Sequence, residues 1–123
     1  MRLTKLTPNI FYSDIKDGLE LFVDCLGCRI SYDDLQSSEP FCVVQKDDIK
    51  ACLIQSDEFA KKDRPEIRIE TDDIESIYKD VKEKHAHLLH PNSKEITLKP
   101  WGAKEFAILD KSGVCVIMQQ WQG

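Results

Sequence analysis

An α+β fold built from two copies of a strand-helix-three-strand module is what this sequence of 123 residues predicts, on three observations. Two apolar stripes of helical spacing lie 59 residues apart. A strand candidate precedes each stripe and runs into it through an Asp-Ile pair. Three short β-rich runs then follow each stripe.

The first stripe is Ile15, Leu19, Phe22, Val23 and Leu26, the buried face of an amphipathic helix. Ser13 or Asp14 can cap its start. Gly27 stands where a left-handed C-terminal cap is expected, which ends the helix at about Cys25 or Leu26. The second stripe is Ile74, Ile77, Tyr78 and Val81, with Asp72 and Glu75 spaced as a capping box before it. Ile15, Leu19 and Phe22 thus correspond to Ile74, Tyr78 and Val81.

The leading strands are expected at 7–12 and 66–70. The runs 29–33, 41–45 and 49–55 complete the first module, and 95–98, 105–109 and 114–119 the second. Asp47-Asp48 and Lys111-Ser112-Gly113 supply hairpin turns, and a longer loop covers His90 to Lys94. One domain is expected over 1–123, with module 1 at about 5–56, module 2 at about 64–121, and Asp57 to Arg64 as an exposed linker. A single module has one helix for one face of its sheet, so the other face must find a partner.

Twenty-two acidic against 17 basic residues give a net charge of −5, and no basic stripe exists, which excludes a phosphate-backbone partner. The N-terminus carries no signal-peptide pattern and no window approaches a membrane span, so a cytoplasmic protein is expected. Five cysteines, an odd count, point to reduced thiols, and Cys42, Cys52 and Cys115 lie in apolar strand-like runs as small core residues.

Residues 100–113, Pro-Trp-Gly-Ala-Lys-Glu-Phe-Ala-Ile-Leu-Asp-Lys-Ser-Gly, carry the most specific local pattern. They resemble the P-W-G-x-x-E-F-A-x-x-D-x-x-G segment of bleomycin-resistance proteins, a branch of the glyoxalase (vicinal oxygen chelate) superfamily. Ser13-Asp14-Ile15 and Phe22 to Cys28 look like that family's first-module helix and its D-x-L-G turn, although Cys28 stands where an aromatic is usual. The resemblance spans nearly the whole chain. It implies two βαβββ modules forming curved mixed sheets around a cavity, a homodimer, and sequestration of a small molecule, in the manner of antibiotic resistance.

The residues support a physical reading beside the resemblance. Pro100 fixes φ and Gly102 permits a tight bend, which holds Trp101 at the mouth of the next strand. In that strand Phe106 and Ile108 alternate with Glu105, Ala107 and Leu109, so Glu105 points away from the helix-covered face. By the family's architecture that other face lines the cavity. The candidate ligand-binding residues are then Asn9, Phe11, Glu66, Arg68, Trp101, Glu105 and Cys115, with Glu70 and Gln119 beside them. Aromatic surface with carboxylates suits a flat aromatic or cationic ligand.

Enzymes of the superfamily hold a divalent metal on the first and last strands of each module. Aligned on the helix signatures, those positions fall on Thr7 and Glu66, near Leu53 or Ile54, and on Ile117. One carboxylate does not make a catalytic divalent site. No catalytic residue, metal ligand or cofactor is therefore expected, and the metal-free binding branch is preferred. The alternative is a metal-dependent lyase, isomerase or dioxygenase with a divergent site at Glu66 and Glu105; an interaction module with a self-filled cavity is the third reading.

Simpler readings stand against each feature. Cys25-Leu26-Gly27-Cys28 has C-x-x-C spacing but no second half, and reads as core packing. His85, His87 and His90 read as a solvated helix end away from the cavity rather than a metal site. Trp101 can be a hydrophobic plug and Glu105 can pair with Arg68 across the sheet.

Overall fold

In the computed structural model, which describes residues 1–62 and 64–122, the chain divides into two units, Met1–Asp63 and Arg64–Gly123. The first unit runs β1 (Asn9–Tyr12), α1 (Ile15–Leu19, continuing as a π-helical stretch Glu20–Cys25), β2 (Arg29–Asp34), β3 (Phe41–Lys46), β4 (Ile49–Gln55) and α2 (Asp57–Lys62). The second runs β5 (Glu66–Glu70), α3 (Ile74–Lys84), a 3-10 turn (Ala86–Leu88), β6 (Thr97–Leu98), β7 (Ala103–Leu109) and β8 (Cys115–Trp121). Each unit holds one four-stranded mixed sheet, in the orders β1-β4-β3-β2 and β5-β8-β7-β6. The first and last strands are parallel and the other pairs antiparallel.

The same devices start both helices. Asp14 caps α1 by accepting from the Lys16 N–H at 3.0 Å, and Asp73 caps α3 by accepting from Ser76 N at 3.2 Å. The second cap therefore falls one residue later than the box expected at Asp72. A second donor at each N-terminus is met from the sheet: Ile15 N–H donates to Gln55 Oε1 at 3.0 Å, and Ile74 N–H to Gln120 Oε1 at 2.8 Å. A strand-end glutamine thus ties each helix to its own sheet.

The first helix ends as predicted at Gly27, whose φ of 78° lets Cys28 N–H reach back to Phe22 O at 2.9 Å. Its buried face differs from the expected stripe: Ile15, Gly18, Leu21, Phe22 and Cys25 are buried, while Leu19, Val23 and Leu26 are half-exposed. The π-helical stretch rotates the face, as in the Leu26 N–H to Leu21 O bond, which spans five residues. Ile10, Tyr12, Leu21, Leu53 and Val44 form the core of this unit. In the second unit α3 lays Ile74 and Val81 against Phe106, Ile108, Val116 and Met118, and Tyr78 meets the Phe106 ring edge-on at 5.1 Å.

Two elements differ from the expectation. The run read as a linker forms α2, an exposed helix with Lys61 paired to Asp57 at 2.8 Å and Lys62 to Glu58 at 3.4 Å. Asp63 of that run lies outside the described residues. β6 keeps two residues instead of four, because the preceding loop occupies the β7 edge: His90 N–H donates to Ala107 O at 2.9 Å and Ala107 N–H to Ser93 O at 3.0 Å. The hairpin turn before β8 is held by Asp110, whose buried Oδ1 accepts from Ser112 N and Val114 N at 3.0 Å each, with Gly113 at φ 89°. The Asp and Gly that close the 100–113 motif are thus turn residues. None of the five cysteines is in a disulfide among the described residues, and Cys25, Cys28 and Cys42 are buried while Cys52 and Cys115 are half-exposed.

Candidate functional site

Strand alternation builds one face of the second sheet. On β5, Glu66 and Arg68 alternate with Ile67 and Ile69; the parallel ladder sets Glu66 opposite Cys115 and Arg68 opposite Ile117 on β8. The antiparallel ladder then sets Ala107 opposite Ile117 and Glu105 opposite Gln119. Beyond the sheet, Gly102 at φ 94° turns the chain, with its N–H bonded to Lys99 O at 2.9 Å. That turn carries Trp101 out over the start of β7.

Glu105 organises the group. Its side chain is 5% exposed, and its Oε2 accepts from Trp101 Nε1 at 2.8 Å and from Gln119 Nε2 at 2.8 Å. The Arg68 guanidinium lies 3.8 Å from Oε1 and is 46% exposed. The pairing of Glu105 with Arg68 expected across the sheet is therefore present, but it is longer than a direct hydrogen bond. Trp101 remains 52% exposed while its indole N–H is tied down, so the ring is held in orientation and open to solvent. It is not a buried plug.

Around these residues lies an open hollow of ≈ 250 Å³. Glu66, Arg68, Trp101, Glu105 and Cys115 line it together with Phe106, Ala107 and Ile117. Three further lining residues were not among the candidates: His90, Ser93 and Lys99. His90 thus corrects the reading that placed the histidine cluster away from the cavity, since the loop that pairs with β7 brings it in; His85 caps α3 and its ring lies 6.4 Å from that of His87. His90 Nδ1 accepts from Asn92 N at 3.0 Å, which leaves Nε2 to carry the proton of the neutral ring. The Cys115 thiol is pushed above its ordinary range by burial first and Glu66 second, with Arg68 opposing, so it stays protonated at neutral pH.

Asn9 and Phe11 belong to the first unit. Phe11 packs against Phe59 of α2 at 5.1 Å, and Asn9 is exposed at the start of β1. Of the companions named with the candidates, Gln119 is buried on Glu105 and Glu70 is exposed at the end of β5.

The ladders also give a ruler for the metal question. Asn9 pairs with Cys52 and Phe11 with Ile54, as Glu66 pairs with Cys115 and Arg68 with Ile117. Thr7, which the helix offset sets beside Glu66, precedes β1, whose first residue is Asn9. Among Thr7, Asn9, Leu53, Ile54, Glu66 and Ile117 the one carboxylate is Glu66, and among the described residues no group of three His, Cys, Asp or Glu is placed to share an ion. That donor set does not fit a divalent cation.

No protein-family model matches the chain, and none of the curated proteins does. Solved structures do. A bleomycin-binding protein from Streptomyces verticillus, in complex with copper(II)-bleomycin, superposes with a TM-score of 0.73 at 19% identity, over 100% of this chain and 99% of that one. TioX from Micromonospora sp. ML1 gives 0.78 at 11% identity over 96% and 98%. A glyoxalase-related enzyme from Clostridium phytofermentans gives 0.70 at 17% identity over 99% and 98%. No helix among the described residues is long and apolar enough to cross a membrane. At these identities the likeness is one of fold, and together with the two β-α-β-β-β units it establishes that the chain has the α+β fold of the bleomycin-resistance and glyoxalase proteins.

Proposed function

We infer that this protein binds and sequesters a small aromatic molecule without a metal, using the hollow of its second unit. One observation carries the reading: the half-exposed Trp101 ring is locked by a 2.8 Å bond to the buried Glu105 at the rim of that hollow. A free surface indole loses rotamer entropy when it stacks on a ligand, whereas a tethered one has already lost it. At ≈ 250 Å³ the hollow lies just under the usual range for drug-sized ligands, about 300–1,000 Å³, which suits one or two fused rings. The bleomycin complex of a protein with this fold supports small-molecule binding.

Trp101 is the stacking surface, Arg68 and Glu66 are the accessible charges, and Cys115 is a neutral wall residue. Glu105 is a positioning residue, since its carboxylate is engaged by Trp101, Gln119 and Arg68. A cytoplasmic homodimer completes the proposal, with exposed Tyr32, Leu98 and Trp121 as apolar surface that a second copy can cover.

The test is a fluorescence titration in a Trp121→Phe background, so that Trp101 alone reports, with bleomycin and a panel of aromatic compounds before and after chelation. Saturable quenching that survives chelation is expected, and calorimetric titration should show the binding lost in Trp101→Ala. Stoichiometric tightly held metal together with no aromatic binding would overturn the proposal in favour of a divergent enzyme. Sedimentation velocity checks the dimer.

A further inference from the structure

The formal charges lining the hollow cancel: Arg68 and Lys99 against Glu66 and Glu105. The accessible ones do not. Glu105 is 5% exposed and already accepts two hydrogen bonds on one oxygen, so a ligand does not meet it as a free carboxylate. Arg68 is 46% exposed and, at 3.8 Å from Glu105, is charge-paired without a direct hydrogen bond. Among the described residues no acceptor lies within hydrogen-bond reach of its guanidinium, and Lys99 makes no ion pair. His90 adds one more donor, because its Nδ1 is occupied as an acceptor. The hollow is therefore donor-rich, with Glu66 as its one accessible carboxylate among the described residues.

We propose that the ligand is an aromatic acid, its ring on Trp101 and its carboxylate in the fork of Arg68, with Lys99 as a second cation. This rests on reading the hollow as the ligand site. A planar guanidinium with open N–H groups matches a carboxylate bidentately, and a partly desolvated pairing of this kind outweighs a neutral hydrogen bond. Burial of Glu105 has a second consequence here: its charge holds the guanidinium near the sheet without saturating it, so Arg68 is oriented before the ligand arrives.

The experiment is calorimetric titration of the full chain with three matched probes: 2-naphthoate, 2-naphthalenemethanol and 2-naphthylmethylammonium. Naphthoate should bind about tenfold or more tighter than the alcohol, in line with a charge-assisted hydrogen bond, and the ammonium weakest. Arg68→Gln should bring naphthoate down to the level of the alcohol while leaving the alcohol within about twofold, as expected where only the charged pair is lost. Lys99→Gln, which leaves Glu105 and its partners untouched, should weaken naphthoate by a smaller factor and serves if Arg68→Gln fails to fold. Equal binding of the three probes, tightest binding of the ammonium, or naphthoate binding indifferent to both substitutions overturns the acid assignment while leaving an aromatic site. Failure of all three probes to bind, or binding unchanged in Trp101→Ala, overturns the site itself and the assignment with it.

Discussion

The two units build the same sheet face and finish it differently. Through the parallel ladders Asn9, Phe11, Cys52 and Ile54 of the first unit share one face of its sheet, as Glu66, Arg68, Cys115 and Ile117 do in the second. Where the first has a phenyl ring covered by Phe59, the second has a guanidinium, a buried carboxylate and a hollow. The helix caps, the strand-end glutamines and the parallel closing strand are common to both. The backbone thus makes a face, and the side chains on it decide whether that face is filled by the protein or left open. The covering segments differ as well: α2 delivers the Phe59 ring in one unit, while the loop from His85 to Lys99 delivers polar donors in the other.

Packing under the helices separates the units further. In the first, Gly18 lies beneath the buried Tyr12 ring: a Cβ there would stand 2.5 Å from Cε2 and 2.7 Å from Cζ. In the second, the helix position of Gly18 holds Ile77 and the leading strand carries Ile69, both half-buried. Gly18→Ala should be the largest effect, lowering stability by about 3 kcal/mol, because an aromatic ring in a packed core must move. Urea unfolding reads it directly. Importing the second unit's solution, Tyr12→Ile with Gly18→Ala, should recover part of the loss; a neutral Gly18→Ala would mean the ring is free to yield.

Next in size is a pH effect in the first unit. Burial first, then Asp33 and Cys52, push the Cys42 thiol up to about 11 from 9.0. The folded value exceeds the unfolded one, so as pH rises the unfolded chain ionises first. The associated stability is intact below pH 9 and is lost between 9 and about 11, amounting to about 2.5 kcal/mol at the upper end. Urea midpoints at pH 8 and 10.5, compared between the native chain and Cys42→Ala, isolate it. The variant should show the shallower decline. An equal decline in both would show that the buried thiol is not the group responsible.

Much of this contrast was legible in the sequence, and the rest was hidden for physical reasons. The helix stripes revealed the duplication because amphipathic spacing reports burial directly. Trp101 and Glu105 were legible because a turn and a strand place them by local geometry. His90, Ser93 and Lys99 were not, because hydrogen bonds from a loop to the edge of β7 place them, and such pairing leaves no period. For α2 the signal was present in Asp57–Lys61 and Glu58–Lys62, four apart, and was outweighed by its linker-like charge.

The strand-end glutamines offer a matched pair. Gln55→Ala removes one acceptor from the α1 N-terminus, whereas Gln120→Ala removes the acceptor for Ile74 N and the donor to Asp72 O at 3.0 Å. A lost helix cap costs about 1 kcal/mol, so Gln55→Ala should cost about that and Gln120→Ala about 1.5 kcal/mol with its further bond. Thermal unfolding of the two variants tests the ranking. If Gln55→Ala proves the costlier, the π-helical stretch makes the first helix the more dependent on its cap.

The smallest effect bears most directly on why one face is filled. Phe59 is 47% exposed and α2 has no buried residue, so its ring on Phe11 is the apolar contact that seats the helix. An aromatic pair of this kind contributes about 0.5–1 kcal/mol. Phe59→Ala should lower stability by that amount and speed hydrogen exchange at Ala60 N–H, which bonds Ser56 O at 2.9 Å, while exchange in β7 and β8 stays unchanged. The variant also separates shape from charge. It uncovers a face that carries Phe11 but none of the cations of the second unit, so uncharged aromatics could gain a weak second site there while naphthoate should not. If naphthoate gained one as well, apolar area alone would suffice for binding, and Arg68 would lose its claim to distinguish the two faces.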